Sequence, residues 1–266
     1  MKQTIDHGVR YRGTGLARSN RPEICSLRIA SFTLIFLTYL LGGLSLLVML
    51  IFLFRGSFHV VNLGLSEPAG LALNAVLSLA FFIQHSVMIR PTFRQRLAQF
   101  IGPTYLGALY TITSAILLLV LVLLWQRSDH VVAALHGMLR WLLHVVVLLA
   151  LGIVYWAFRS LGRYDLFGLG SIFHQLRGTH PRPQSFRVRG PYRWVRHPLY
   201  LSAVLVIWSC PDLTADRLLF NVLWTVWIVI GTRLEERDLV VSFGEAYRDY
   251  QRKVPMFIPY RIPIAG

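Results

Sequence analysis

Between Arg187 and Tyr200 the chain places four arginines, one histidine and two tyrosines around two proline turns, flanked further out by long apolar stretches. Gly190 and Pro191 set a turn, and Pro198, whose fixed φ suits the first helical position, starts a helix. His197 therefore falls in the cap region, where unpaired backbone N–H groups point outward and favour an anion. Thirty-five residues after Tyr200 come Glu235 and Glu236, inside a second charged cluster from Arg233 to Leu239. If the chain reverses between the clusters, Glu235 and Glu236 supply acceptors for a cationic or amino group. Arg196 and His197 then supply donors for a carboxylate. Such a pair of clusters suits a ligand that carries cationic, amino and carboxylate groups together. The plainer alternative is a set of Arg–Glu pairs that orients two helices at a membrane edge.

The elements that must position these residues are membrane helices. Of 266 residues, 55% are apolar and 15% charged, and the mean hydropathy is +0.54, a balance that excludes a soluble domain of this length. Four apolar runs, 29–54, 71–89, 105–125 and 141–158, contain no Lys, Arg, Asp or Glu. Each approaches or exceeds the roughly 20 residues with which a helix crosses the hydrocarbon layer. A less regular pair, 199–210, stopped by Pro211, and 218–234, is predicted to form a tight helical hairpin that returns Glu235 to the face of His197. The predicted fold is an all-α integral membrane helical bundle of about six transmembrane helices. Residues 1–28 form a basic cytoplasmic arm, 29–158 a four-helix transmembrane region, and 159–266 a ligand-binding loop, the hairpin and a cytoplasmic tail.

A net charge of +15 raises the question of nucleic acid, and the placement of the 27 Lys and Arg answers it. Twenty-three lie in the segments 1–28, 90–103, 159–198 and from Arg233 onward, whereas the alternate connections hold only Arg55, Arg127, Arg140 and Arg217. Cytoplasmic loops carry such an excess, so both termini are predicted to be cytoplasmic. Spread over four segments without a recognised binding motif, these charges argue against a nucleic-acid partner. The two cysteines, Cys25 and Cys210, are too few for a disulfide framework or a zinc cluster, and no metal site is predicted. The first apolar run is 26 residues long, beyond the ~7–15 of a signal-peptide core, and stays as a helix.

The string Arg196, His197, Pro198, Leu199, Tyr200, preceded by Gly190, Pro191, Tyr192 and Arg193 and followed by Glu235 and Glu236, resembles a known signature. It is the S-adenosylmethionine (SAM) signature of the isoprenylcysteine carboxyl methyltransferase superfamily, which includes bacterial phospholipid N-methyltransferases. The tail, with Phe243, Gly244, Tyr247 and Tyr250 followed by Val254, Pro255 and Pro259, is similar to that family's ending. Three further stretches, from Gln84 to Pro91, Tyr164 to Leu169 and Glu235 to Leu239, resemble the methanethiol S-methyltransferase branch. Those are bacterial membrane enzymes that turn methanethiol into dimethyl sulfide. The resemblance spans roughly residues 60 to 260. It implies SAM as the cofactor and a bacterial inner membrane as the location, with residues 159–198 as part of the SAM site. Arg196 and His197 would hold the SAM carboxylate, Tyr192 and Tyr200 would contact the cofactor, and Glu235 and Glu236 would bind its amino or ribose groups.

A thiol acceptor must lose a proton as it takes the methyl group, which calls for a base within hydrogen-bond reach. His85, beside Gln84 near the cytoplasmic end of the second run, is the first candidate; a structural Gln–His bond between helices is the plainer alternative. Asp165, in the loop before Phe167, is the second candidate, or a turn-forming residue. Gln84 and Phe167 are expected to contact the substrate. The expected partners are a small-molecule or lipid-like methyl acceptor and membrane lipids. The reading is SAM-dependent methylation of a small apolar thiol, with prenylcysteine carboxylate or phospholipid amine as alternative acceptors. An NADPH-dependent membrane reductase of the sterol type and a non-catalytic membrane component are the alternative classes.

Overall fold

A computed structural model describes residues 21–162, 165–179 and 186–264, with side chains from Arg28 onward. In chain order the elements are α1 (Arg21–Arg55), α2 (Glu67–Met88), α3 (Pro91–Ile101), α4 (Leu106–Leu124), β1 (Val131–Ala134), α5 (Gly137–Leu161), α6 (Gly170–Arg177), α7 (Pro198–Trp208), β2 (Asp212–Thr214), α8 (Ala215–Phe243) and α9 (Glu245–Lys253). Single 3-10 turns at Pro103–Tyr105 and Gly190–Arg193 lead toward α4 and α7. Of the arm expected over 1–28, residues 1–20 lie outside the described residues, and α1 already begins at Arg21.

Among the described residues, five helices are long and apolar enough to cross a bilayer: α1, α2, α4 with its leading turn, α5 and α8. The sixth expected span is the 11-residue α7. At 1.5 Å per residue it covers about 16 Å, roughly half of a ~30 Å hydrocarbon layer. Pro198 starts it, and a turn at Ser209 followed by Cys210 and Pro211 leads into β2. There β2 pairs antiparallel with β1, Val131 opposite Thr214 and Ala134 opposite Asp212, so two connections are tied together at that end. These strands, three and four residues long, are too short to leave an alternation in the sequence. The expected hairpin is present, with α7 packed on both α5 and α8.

In lipid the apolar surface of a helix gains little from touching another helix, so close approach and polar contacts must hold the bundle. The longest interface, α1 on α4, follows that rule. Ser31, Ile35, Thr38, Gly42, Ser45, Met49 and Phe52 recur at helical spacing and are the buried stripe of α1. Thr38 and Ser45 bond back to their own helix. An aromatic core joins α2, α4 and α8: Phe82 stacks on Trp227 at 4.6 Å, Phe220 on Trp224 at 4.7 Å, and Phe52 packs edge-on to Trp125. At the β1–β2 end, buried Asp216 accepts from Trp125 Nε1 (2.9 Å), Ser128 N (3.0 Å) and Thr214 Oγ1 (2.6 Å). Asn74 exchanges bonds of 2.7 and 2.8 Å with the Gln126 backbone. Such satisfied polar groups fix helix positions where hydrophobicity cannot.

Candidate active site

The two charged clusters meet. α7 starts at Pro198 and α8 returns to the same end, bringing Glu236 against Arg196 and His197 across 40 and 39 residues of chain. Arg196 grips Glu236 through Nε–Oε1 (2.5 Å) and Nη2–Oε2 (3.1 Å), a bidentate pair whose side chains are each 9% exposed. His197 Nε2 lies 3.1 Å from Oε1, and Gln251 Nε2 donates to Oε2 at 3.0 Å. The remaining guanidinium nitrogen of Arg196 donates to the carbonyls of Gln251 (3.1 Å) and Val254 (2.5 Å). The tail also claims the backbone here: Arg196 N donates to Pro255 O and His197 N to Met256 O. Two of the amides that the sequence suggests for an anion are therefore already used within the protein.

α9 seals this cluster from the water side. Tyr250 donates to Tyr192 O at 2.6 Å, and Tyr247, Tyr250 and Val254 form a small buried core with Phe186. Burial pushes the phenols of Tyr247 and Tyr250 above the usual tyrosine range, so both stay neutral donors at physiological pH.

In front of the cluster lies a cavity of about 720 Å³, walled by α1, α2, α4, α8, Tyr200 and the loop ahead of α6. The loop is locked in place by small residues. A Cβ on Gly107 would stand 2.0 Å from Gly168 O, and one on Gly42 would stand 2.6 Å from the Phe167 ring. Gly168 has φ +68°, a conformation that costs a side-chain-bearing residue. Thr111 Oγ1 donates to Phe167 O at 2.8 Å, and Asp165 accepts from Leu169 N (2.9 Å) and Gly170 N (2.6 Å). Asp165 thereby caps the start of α6 while facing the cavity.

His85 projects from α2 into the same cavity. Its Nε2 is 2.8 Å from the Tyr110 hydroxyl, and its ring is flanked by Phe81 at 5.3 Å and Trp227 at 5.2 Å. On the opposite wall Glu235, its side chain 44% exposed, offers an Oε2 that is buried and accepts no hydrogen bond. His197 Nδ1 stands 4.0 Å from that oxygen, and the His197 ring stacks on Tyr200 at 5.5 Å. Arg90 and Arg94 line the mouth, where Arg90 meets Asp238 at 3.3 Å.

Of the residues singled out in the sequence, His85, Asp165, Phe167, Tyr200 and Glu235 line the cavity. Arg196, His197 and Glu236 stand behind it as a closed network, and Tyr192 serves through its carbonyl. Gln84 faces away from the cavity: one residue turns a helix by about 100°. Its amide bonds to Thr113 (3.1 Å) and to the cavity-lining Ser114 (3.2 Å), so Gln84 itself is not part of the cavity wall. Tyr110, Arg90 and Arg94 were not singled out for the site from the sequence, and Trp227 also lines it. The signal for Tyr110 was present in the run of Tyr110, Thr111, Thr113 and Ser114 inside an otherwise apolar span, since polar groups at membrane depth mark an interior face.

The architecture defines a multi-pass helical membrane protein whose interior cavity joins an imidazole, a carboxylate and an aromatic wall. The model of the NnrU protein family matches residues 73–253, and the chain belongs to that family. It is similar to methanethiol S-methyltransferase 2 of Bradyrhizobium diazoefficiens, 38% identical over 235 residues that cover 86% of each chain. It is 36% identical to methanethiol S-methyltransferase of Pseudomonas deceptionensis, covering 74% of this chain and 75% of that one. The enzyme of the same name from Pseudomonas sp. GM41 is also 36% identical, over 76% and 78%. No solved structure matches the chain.

Proposed function

We propose that the protein is a SAM-dependent integral membrane methyltransferase that S-methylates a small apolar thiol, of which methanethiol is the type. The chain is a methyltransferase by family, its named relatives acting on methanethiol. The observation that carries the reading is that His85, bonded to Tyr110, and Glu235 Oε2, which accepts no hydrogen bond among the described residues, open into one cavity.

The residues present fit SAM. A volume of about 720 Å³ lies within the range of small-molecule sites, roughly 300–1,000 Å³. Glu235 Oε2, buried without a donor, is matched by an amino group, and Arg90 and Arg94 at the mouth by a carboxylate. Tyr200 would pack against the cofactor, held in place by the His197 ring. Arg196 and Glu236 would act one layer back, keeping His197 and the start of α7 at the cavity wall. Bound SAM supplies an electrophilic methyl group on a sulfonium. An acceptor thiol seated against Phe81 and Trp227 would give its proton to His85, which the Tyr110 hydroxyl holds in orientation. The surrounding aromatic rings exclude water, and the rest of the acceleration comes from alignment. A carboxylate or tertiary amine acceptor would give His85 no proton to take, which favours an acceptor that carries one, and the relatives named for methanethiol favour a small thiol among these.

Arg90 and Arg94 line the cavity, and the excess of Lys and Arg in the connections on their side of the sequence supports an orientation with both termini and this end of the cavity in the cytoplasm of a bacterial inner membrane. Reporter fusions after residues 60 and 130 should read the outer side, and a cytoplasmic signal at either overturns the orientation. The activity is tested by incubating detergent-purified protein with methyl-labelled SAM and a panel of thiols, prenylcysteines and phospholipids. Label transferred to methanethiol-sized thiols is the expected result. Transfer confined to prenylcysteine or lipid overturns the acceptor, and absence of SAM binding in calorimetry overturns the class.

A further inference from the structure

The β1–β2 end of the bundle, remote from Glu235, holds a second cavity of about 270 Å³. Arg55, Arg127, Arg140 and Arg217, the four basic residues of the sparsely charged connections in the sequence, all line it. Residues that membrane topology keeps scarce on this side have been gathered into one place.

Arg217 is 2% exposed. It caps the C-terminus of α1, donating to Phe52 O at 2.9 Å and Leu53 O at 2.5 Å, with its guanidinium 5.3 Å over the Phe52 ring. Its Nε–H is buried and has no partner among the described residues. The two carboxylates at the cavity are committed elsewhere. Asp212 is held by Arg140 through bonds of 2.7 and 3.2 Å, and Asp216 by Trp125, Ser128 and Thr214. Among the described residues, Arg55, Arg127 and Arg217 have no carboxylate ion pair, so the cavity keeps a surplus of positive charge, of which the Arg217 guanidinium is buried while Arg55 and Arg127 are exposed. A cluster of guanidinium forks suits the tetrahedral oxygens of a phosphate.

Beside polar Ser57, His144, Ser209 and Thr214, the wall includes the apolar Leu50, Leu53 and Phe54 of α1 and Val147 of α5, with Leu50 41% and Phe54 59% exposed. Arginines next to an exposed apolar strip match a phosphate that carries an acyl chain.

We propose that this second cavity is a binding site for a phosphate-bearing anion, filled in the membrane by the phosphodiester of a phospholipid whose acyl chain lies along Leu50, Phe54 and Val147. The site is separate from the methyl-transfer cavity and does not rest on the assignment of that activity. Native mass spectrometry of detergent-purified protein tests it, with dioleoylphosphatidylglycerol, dioleoylglycerol and inorganic phosphate as probes on the wild type and on the Arg55→Gln/Arg127→Gln double variant. Both replaced side chains are exposed, and the variant is accepted only with a wild-type thermal midpoint; if it fails that, Arg127→Gln alone is used. The phosphatidylglycerol is expected to bind at least tenfold more tightly than the dioleoylglycerol and to lose at least tenfold in the variant, with SAM affinity unchanged. Phosphate binding that falls equally, without a preference for the lipid, retains the anion site and assigns it to a free phosphate. Equal binding of the two lipids without any response to phosphate, or wild-type affinity in the variant, overturns the proposal.

Discussion

Glu235 and Glu236 are adjacent in sequence, but the structure gives them opposite work, and replacing each in turn separates stability from ligand binding. The Glu236 carboxylate is 9% exposed and receives two bonds from Arg196, one contact from His197 Nε2 and one bond from Gln251. Glu236→Ala leaves the Arg196 guanidinium buried with only the carbonyls of Gln251 and Val254. Removing one partner of a buried ion pair costs about 3–5 kcal/mol. At roughly 2–4 °C per kcal/mol for a protein of this size, the thermal midpoint in detergent should fall by about 6–20 °C. Glu235→Gln changes a carboxylate whose Oε2 accepts no hydrogen bond among the described residues and stands 4.0 Å from His197 Nδ1, so the midpoint should stay within about 2 °C of the wild type, an effect of under ~0.5 kcal/mol. SAM affinity in calorimetry should nevertheless drop at least ~10-fold, about 1.4 kcal/mol, from the loss of a charge-assisted bond. The reverse pattern, a stable Glu236→Ala that no longer binds SAM beside an unstable Glu235→Gln, would refute the division of labour.

Three further outcomes can be measured. His85→Ala should lower turnover of a small thiol by roughly 10²–10⁴-fold while leaving SAM affinity within a factor of two, and an equal loss in both would make His85 a cofactor ligand. Gly107→Ala would drive a methyl into Gly168 O, so the loop that carries Asp165 and Phe167 should shift and activity should fall at least ~10-fold; an unchanged rate would show that this loop is not part of the site. Tyr250→Phe removes the bond to Tyr192 O and should cost about 1 kcal/mol at neutral pH. Because the Tyr247 and Tyr250 phenols titrate above their ordinary value of 10, the unfolded chain loses those protons first and stability should decline as pH rises beyond about 10. Thermal midpoints between pH 9 and 11 should fall less steeply in Tyr250→Phe than in the wild type.

The sequence by itself determined the solvent of the fold and the location of its chemistry. Uncharged runs of 18 to 26 residues can satisfy their backbone in lipid only as helices, and so the long spans were legible from composition alone. Pro198 and Pro211 marked the short seventh helix, although not how short a span the bundle would accept. The charged strings around His197 and Glu236 were legible because a membrane segment does not retain such residues without partners. What the sequence could not supply was direction. Gln84 and His85, or Glu235 and Glu236, differ by one position, and only packing against α4 and α7 settles which of each pair faces the cavity and which faces a neighbouring helix. Likewise Tyr110 and Trp227 reach His85 from helices 25 and 142 residues away, and the four scattered arginines of the far end meet only because β1 pairs with β2 and Arg217 caps α1. Period and charge are local properties of a chain, whereas the rotation of each helix about its axis is fixed by the surfaces it meets, and that is decided only when all of them are packed.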